Sequence, residues 1–383
     1  MSGRTPGEFA SFPRHALEIV RGEGAHLWDS AGRRYLDLGA SHGTANVGHA
    51  NPEVVAAIAR QAQELLQLAG SFASPVRTEF IRALTATLPA PLDRVFLSNS
   101  GTESVEAAIK FARAATGRPR IVAAMRGFHG RTLGALSATW RPEFRAPFEP
   151  LVPEFAHVPY NDPAALAAAV DDRTAAVLLE PVQGEGGVHP AAEGYLRGAR
   201  AVTSAHGALL ILDEVQTGVG RTGRFWALER SGIVPDIVTA AKSLAGGVPV
   251  GATIATPAVE AAFRGSHQST FGGNPLASAA GIAALEYARR ERLAERADRL
   301  GEIARARLAE LPESVVREVR GVGLMIGIEL RGRAAPYLEA LRSKGYLAIS
   351  GGANVIRLLP PLVISEEEWV GALDALREIL GRG

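Results

Sequence analysis

The chain has 383 residues, 47% of them apolar and 21% charged, which is enough for two or three packed cores of an enzyme-sized globular protein. A formal net charge of +1 offers no electrostatic footprint for nucleic acid or an anionic membrane, so small polar molecules are the expected partners. There is no cysteine, which excludes disulfides, thiolate nucleophiles and cysteine-ligated zinc. The opening "MSGRTPGEFASFPRH" has no basic stretch followed by an apolar one, and no window holds 18 apolar residues, so the cytoplasm is the expected compartment.

In chain order, "GAHLWDSAGRRYLDL" (24–38) reads as a hairpin turning at Ser30 to Gly32. Short apolar runs then alternate with helical stretches. The expected strands are 94–99, 120–125, 175–180, 208–213, 236–242 and 250–256; helices are expected over 102–116 and 162–170. Such alternation implies a mostly parallel sheet covered by helices. Residues 274–311 read as one long helix able to bridge two domains, and 322–330 as a strand. Ser365 and Glu368 stand at capping-box spacing ahead of a closing amphipathic helix. The expected fold is α/β, a large domain with a mostly parallel central sheet beside a smaller α+β domain built from both termini. The expected division is 1–55 for the N-terminal part of the small domain, 56–275 for the large domain, and 276–383 for the interdomain helix and the C-terminal part.

Ligands of such sheets bind at the carboxyl ends of the strands. Four expected strand ends carry chemistry here: Asp213, Glu180, Ser100 with Gly101, and Lys242. Asp213 and Glu180 each have a plainer explanation as caps of neighbouring helices, but their joint placement favours a site. "SNSGTESVEAAIK" (98–110) contains an S-x-x-E capping box at Ser100 and Glu103; its Ser-Gly-Thr turn also exposes backbone donors and a helix N-terminus suited to a phosphate. Gly218, Gly220 and Gly223 match G-x-G-x-x-G, yet they follow a loop rather than a strand and read as a loop, not a dinucleotide site. The nine histidines form no H-x-x-x-H or H-x-E pattern, so no metal site is expected.

The lysines sharpen this reading. Of 41 basic residues only Lys110, Lys242 and Lys344 are lysine; the other 38 are arginine. Lys110 reads as a solvated helix position and Lys344 lies in a turn-like "RSKGY". Lys242, at a strand end, needs an explanation that arginine cannot satisfy. A phosphate cradle, an aspartate behind a buried strand and a lysine suggest pyridoxal phosphate, whose aldehyde requires an amine that forms a Schiff base and then moves a proton. An ionised Asp213 beside the pyridine nitrogen would keep that nitrogen protonated.

Across nearly the whole chain "NSGTES", "GFHGRT", "EPVQGEGG", "LILDEVQTGVGRTG", "AAKSLAGG", "STFGGNPLA" and "VIRLLPPLVI" resemble the successive signature blocks of class III, fold type I pyridoxal-phosphate aminotransferases. Within the class the chain is most similar to the N-acetylornithine aminotransferase group, in particular the branch acting in bacterial lysine biosynthesis on an intermediate tethered to an acidic amino-group carrier protein. The resemblance implies that Lys242 bonds the cofactor, Asp213 holds the pyridine nitrogen and Gln216 the ring hydroxyl. It implies that Ser100, Gly101 and Thr102 bind the phosphate, that Phe128 covers the ring, and that Thr270 reaches a second subunit's site in a homodimer. Arg131 and Arg357 would bind substrate carboxylates, Glu185 pairing with Arg357 until glutamate displaces it; as isolated residues the arginines read as surface ion pairs. His42 stands where ornithine-specific relatives carry tyrosine, which argues against free ornithine.

The implied reaction moves the terminal amino group between carrier-linked lysine and 2-aminoadipate semialdehyde, with glutamate and 2-oxoglutarate as the other pair. N-acetylornithine, one methylene shorter, is the alternative. An aminomutase is disfavoured because such relatives usually have methionine in place of Gln216 and lack the arginine of "VIRLLPP". A noncatalytic scaffold is disfavoured by intact Lys242 and Asp213. Arg141 and Arg145 are candidates for a basic rim facing an acidic carrier, against the plainer reading of solvated surface arginines.

Overall fold

The computed structural model describes residue 9 and residues 17–381; the rest of the N-terminal stretch read for a leader lies outside the described residues. Its centre is a seven-stranded sheet whose spatial order is Arg94–Ser98, Gly251–Ala255, Ile237–Ala240, Leu209–Asp213, Thr174–Leu179, Arg120–Ala124 and Phe155–Val158. Six strands run parallel, and Gly251–Ala255 is antiparallel to both neighbours. Helices on both faces shut water from the sheet, so Thr174–Leu179 and Gly251–Ala255 are buried at every position. That explains why they read as unbroken apolar runs without alternation. Phe155–Val158 was not expected: four residues between Glu154 and Pro159 are too short to show a period.

The smaller part contains two sheets. Ile19–Glu23, His26–Asp29 and Arg34–Asp37 form an antiparallel meander joined by Tyr346–Leu347 from the far end of the chain, parallel to Arg34–Asp37. The second has the order Val316–Val322, Met325–Leu330, Val355–Leu358, Ile349–Ser350 and is antiparallel. The expected hairpin at Ser30 to Gly32 is present.

Two expectations need correction. The helix over 274–311 is two helices, Pro275–Arg290 and Leu293–Leu308, separated at Arg292, whose φ of 51° is left-handed. Its apolar spacing resumes after the break, so periodicity alone hides it. The strand expected over 322–330 is a hairpin, with Val322 closing one strand and Met325 opening the next around Gly323 at φ 55°. Lys110 is exposed midway along the helix Gly101–Thr116, as expected, and Lys344 pairs with Glu378 at 2.7 Å. The closing helix Glu366–Leu380 has the expected capping box, with Glu368 N to Ser365 Oγ at 3.1 Å and Ser365 N to Glu368 Oε2 at 2.8 Å.

Candidate active site

The parallel strands aim their carboxyl ends at one crevice, which gathers the strand-end residues. Asp213 ends its strand buried, with Oδ2 2.7 Å from His129 Nδ1 and Oδ1 accepting Val215 N–H at 3.0 Å. Burial pulls the His129 imidazole down, but the Asp213 hydrogen bond and charge outweigh it, so the ring is held above its ordinary range. Glu180, one strand over, accepts Phe128 N–H at 2.9 Å and Gly184 N–H at 3.2 Å. Burial and the neighbouring Asp213 charge push its carboxyl up to about 7, against the pull of His129. Glu180 thus ties together two loops. Glu214, next to Asp213, points elsewhere: it accepts Ala227 and Leu228 N–H at 3.1 and 2.7 Å, and burial raises it to about 7.

Lys242 lies just past the strand Ile237–Ala240, which ends two residues before the expected boundary, in a short 3₁₀ turn Lys242–Ala245. Its φ of 44° is left-handed, a conformation costing an L-residue about 1–2 kcal/mol, and such strain persists where surrounding structure dictates it. Burial lowers the affinity of its amine for a proton; Glu185, Asp213 and Glu180 oppose that and Arg357 adds to it. The four named groups are therefore near neighbours of the amine.

Ser100 caps the helix Gly101–Thr116: its Oγ accepts Glu103 N–H at 3.3 Å and donates to Glu103 Oε2 at 2.9 Å, while Asn99 N–H returns to Glu103 at 2.8 Å. Ser100 is the expected N-cap, but the reciprocal half of the capping box is displaced by one residue, since Glu103 accepts from Asn99 N–H and from the Ser100 hydroxyl rather than from Ser100 N–H, and the serine hydroxyl is engaged by it. A side chain at Gly101 would put its Cβ 2.7 Å from Val215, and one at Gly130 would meet Thr102 Oγ1 at 2.2 Å, so the turn packs on Val215 and the 127–130 loop packs on the turn only because these residues are glycine. Thr102 Oγ1 accepts Arg131 and Thr132 N–H, each at 3.1 Å. Phe128 is half-buried beside this cradle, edge-on to Phe144 with centroids 5.9 Å apart.

At the other end of the crevice Arg357 is fully buried, from the strand Val355–Leu358, and its Nη1 lies 2.7 Å from Glu185 Oε1. Burial alone would raise the Glu185 carboxyl; His42, Arg357 and Lys242 overcome it and hold it well below the usual carboxylate range. Gln216 packs against Gly184, where a Cβ would come within 1.8 Å of its Oε1, and donates to the His42 carbonyl at 3.2 Å.

The remaining expected site residues border this cluster or lie on the surface. Arg131 is exposed, its guanidinium 3.8 Å from the Phe144 ring centroid. Thr270 is exposed on a face where Gln67 donates to its carbonyl and where Phe72 and Phe271 are also exposed. Arg141 and Arg145 are half-buried rather than solvated; Arg141 Nη2 donates to the Glu185 carbonyl at 3.1 Å because the short helix Pro142–Arg145 folds over that loop. Gly218, Gly220 and Gly223 sit in a turn-rich loop, with Gly220 and Gly223 at φ 86° and 83°. Sequence reasoning overlooked His129. Its only signal was its place between two glycines, and a lone histidine more often serves packing than chemistry.

A buried amine with a lowered proton affinity, a buried carboxylate paired to an imidazole, and a glycine-walled helix N-terminus fit pyridoxal phosphate, each supplying what one part of that molecule requires. The fold and the donor set define the class as the pyridoxal-phosphate-dependent transferases with a mostly parallel central sheet. The profile of class III aminotransferases matches residues 10–380, and the chain belongs to that family; it is a pyridoxal-phosphate-dependent aminotransferase. It is 50% identical over 97% of its length to an acetylornithine aminotransferase of Methanopyrus kandleri, 96% of which is covered. It is 46% identical over 96% of its length to a [LysW]-aminoadipate semialdehyde transaminase of Deinococcus radiodurans, 87% of which is covered. The crystal structure of ornithine aminotransferase from Toxoplasma gondii superposes with a TM-score of 0.93 at 34% identity, covering 97% of this chain and 92% of that one.

Proposed function

We propose that this aminotransferase exchanges the terminal amino group between carrier-linked lysine/2-aminoadipate semialdehyde and glutamate/2-oxoglutarate in lysine biosynthesis. The observation that carries the reading is the buried Arg357 with Glu185 at 2.7 Å, beside Lys242. One carboxylate anchor with a displaceable internal counter-ion lets a single crevice take a dicarboxylic amino acid and then a longer amine lacking a carboxylate at that end.

Bound pyridoxal phosphate supplies an electron sink for the carbon that loses a proton. The chain's own groups do the rest. Lys242 would bond the cofactor, and its amine, whose proton affinity burial lowers, would move the proton at the substrate carbon. Asp213, fixed by His129, keeps negative charge at the ring nitrogen. Ser100, Gly101 and Thr102 hold the phosphate, chiefly by backbone N–H groups since the Ser100 hydroxyl is occupied, and Gln216 orients the ring hydroxyl. Phe128 excludes water from one ring face.

Arg131 binds the carboxylate of the longer substrate. A free α-ammonium there would be repelled, so an acylated α-amine fits, and both the carrier-linked and the acetylated substrates provide one. N-acetylornithine is thus the second reading, supported by the M. kandleri relative, and one methylene discriminates by only about 1–3 kcal/mol. Arg141 reaches the Glu185 loop, and with Arg145 would face an acidic carrier. We further propose a homodimer in which Thr270 reaches the partner's site across the face bearing Phe72 and Phe271, a division of the chain at about residues 55 and 275, and a cytoplasmic location beside the pools of glutamate and 2-oxoglutarate.

Comparing kcat/KM for carrier-linked lysine with that for N-acetylornithine, at low and high salt, tests the substrate. The expected result is a carrier advantage that shrinks as salt screens the arginines. No advantage at low salt makes acetylornithine the substrate. Sedimentation velocity of wild type and Phe271→Asp tests the dimer, which the charge should dissociate.

A further inference from the structure

The segment Ala40–Gly43 has four consecutive left-handed residues, with φ of 43°, 49°, 61° and 82°, only the last a glycine. It is pinned from both sides. Asp37 Oδ1 accepts the N–H groups of Gly39 and Ala40 at 2.8 and 2.9 Å, and Asp37 Oδ2 is itself held 2.7 Å from His49. Toward the crevice, Gln216 donates to the His42 carbonyl at 3.2 Å and Ser243, next to Lys242, donates to the Gly43 carbonyl at 2.9 Å. A loop so constrained holds its one ionisable side chain at a fixed place.

That place is the Arg357 fork. Arg357 Nη1 contacts Glu185 at 2.7 Å, while Nη2 lies 3.3 Å from His42 Nδ1, which also stands 3.7 Å from Glu185 Oε1. Guanidinium only donates, so toward Arg357 Nδ1 serves as an acceptor and carries no proton. In this arrangement Glu185 Oε1, at 3.7 Å, is beyond hydrogen-bond length, so His42 acts on the carboxylate through proximity and not through a bond.

We propose that His42 is a specificity-determining residue, the alternative partner that takes Glu185 when a substrate carboxylate occupies Arg357. The proposal rests on Arg357 being the carboxylate anchor. Once both N–H groups of the fork turn to the incoming carboxylate, the Nδ1 lone pair of His42 is released; it takes one proton from solvent and donates it to Glu185. Charge balances at each stage: Glu185 with Arg357 before, substrate with Arg357 and Glu185 with imidazolium after. Without this partner Glu185 would stay partly buried with no cation of its own. The charged groups around the imidazole are Arg357 from its strand and Glu185 from the loop after Val182–Gln183, with Lys242 and Asp213 behind Glu185; Gln216 is neutral.

The mechanism makes dicarboxylate binding take up protons. Glutarate, which fills the carboxylate anchor but has no group to react, is titrated into the holoenzyme by calorimetry in buffers of different ionisation enthalpy, near pH 7.5. Wild type should take up a fraction of a proton per site. His42→Asn should lose most of that increment, and Glu185→Gln likewise; asparagine tolerates left-handed backbone, so the loop is kept. His42→Asn should also raise KM for glutamate several-fold, by more than it changes KM for the terminal amine. Equal proton uptake in wild type and His42→Asn overturns the proposal, since a merely structural histidine would not change it. If glutarate fails to bind wild type, or binds Arg357→Ala equally well, the anchor reading fails and this proposal with it.

Discussion

The two ends of the crevice are built differently. At the floor, Asp213, His129 and Glu180 are buried and bound to fixed backbone donors or to each other, with nothing that has to move. At the mouth, Arg357 is buried but its partners are half-buried Glu185 and exposed His42, and under the proposed function both yield to a carboxylate. The difference teaches that a site handling two unlike substrates keeps its chemistry rigid and puts its adaptability in displaceable charge pairs. Floor substitutions should therefore damage both half-reactions equally, and mouth substitutions should split them.

The largest effect is expected from Lys242→Ala, which should fold and lower both half-reactions by roughly 10³-fold or more, since covalent attachment and proton transfer are both lost. Single-turnover absorbance with each substrate checks it, and full turnover would sink the assignment. Asp213→Asn should retain the fold and slow both half-reactions by on the order of 10²–10³. An unequal loss would blur the line between floor and mouth. Arg357→Ala should reduce kcat/KM for glutamate by roughly 10- to 100-fold, the loss of a charged hydrogen-bonding partner, with a smaller effect on the longer amine. Glu185→Ala should shift the ratio of the two substrates' kcat/KM in favour of glutamate; an unchanged ratio would remove Glu185 from the selectivity.

The smallest effect concerns stability. Folding raises the carboxyl of Glu214 from its ordinary value to about 7 by burial, so between roughly pH 4.5 and 7 the folded chain binds a proton that the unfolded chain has released. That group's contribution falls as pH rises through this window and is constant above it. Glu214→Gln should flatten the decline in denaturation midpoint between pH 5 and 7.5 by an equivalent of about 1–3 kcal/mol. An unaltered slope would assign the decline to Glu180 or to other groups.

By itself the sequence determined the alternation of buried strands and helices, the N-cap at Ser100 and the capping box at Ser365, and the gathering of Lys242, Asp213 and Glu180 at strand ends. Those are short-range consequences of apolar patterning and of the cost of placing charge behind a buried strand. The roles proposed for Arg357, Glu185, Phe128 and Thr270 rest on resemblance, because nothing within a few residues distinguishes a site arginine from a surface one. Tertiary structure alone decided that Arg292 breaks a helix, that Ser100 spends its hydroxyl on Glu103, that Arg141 binds the Glu185 loop, and that His129 and His42 meet carboxylates 84 and 143 positions away. Such contacts depend on how separate strands register across a sheet and between domains. A periodicity confined to one element does not carry that information.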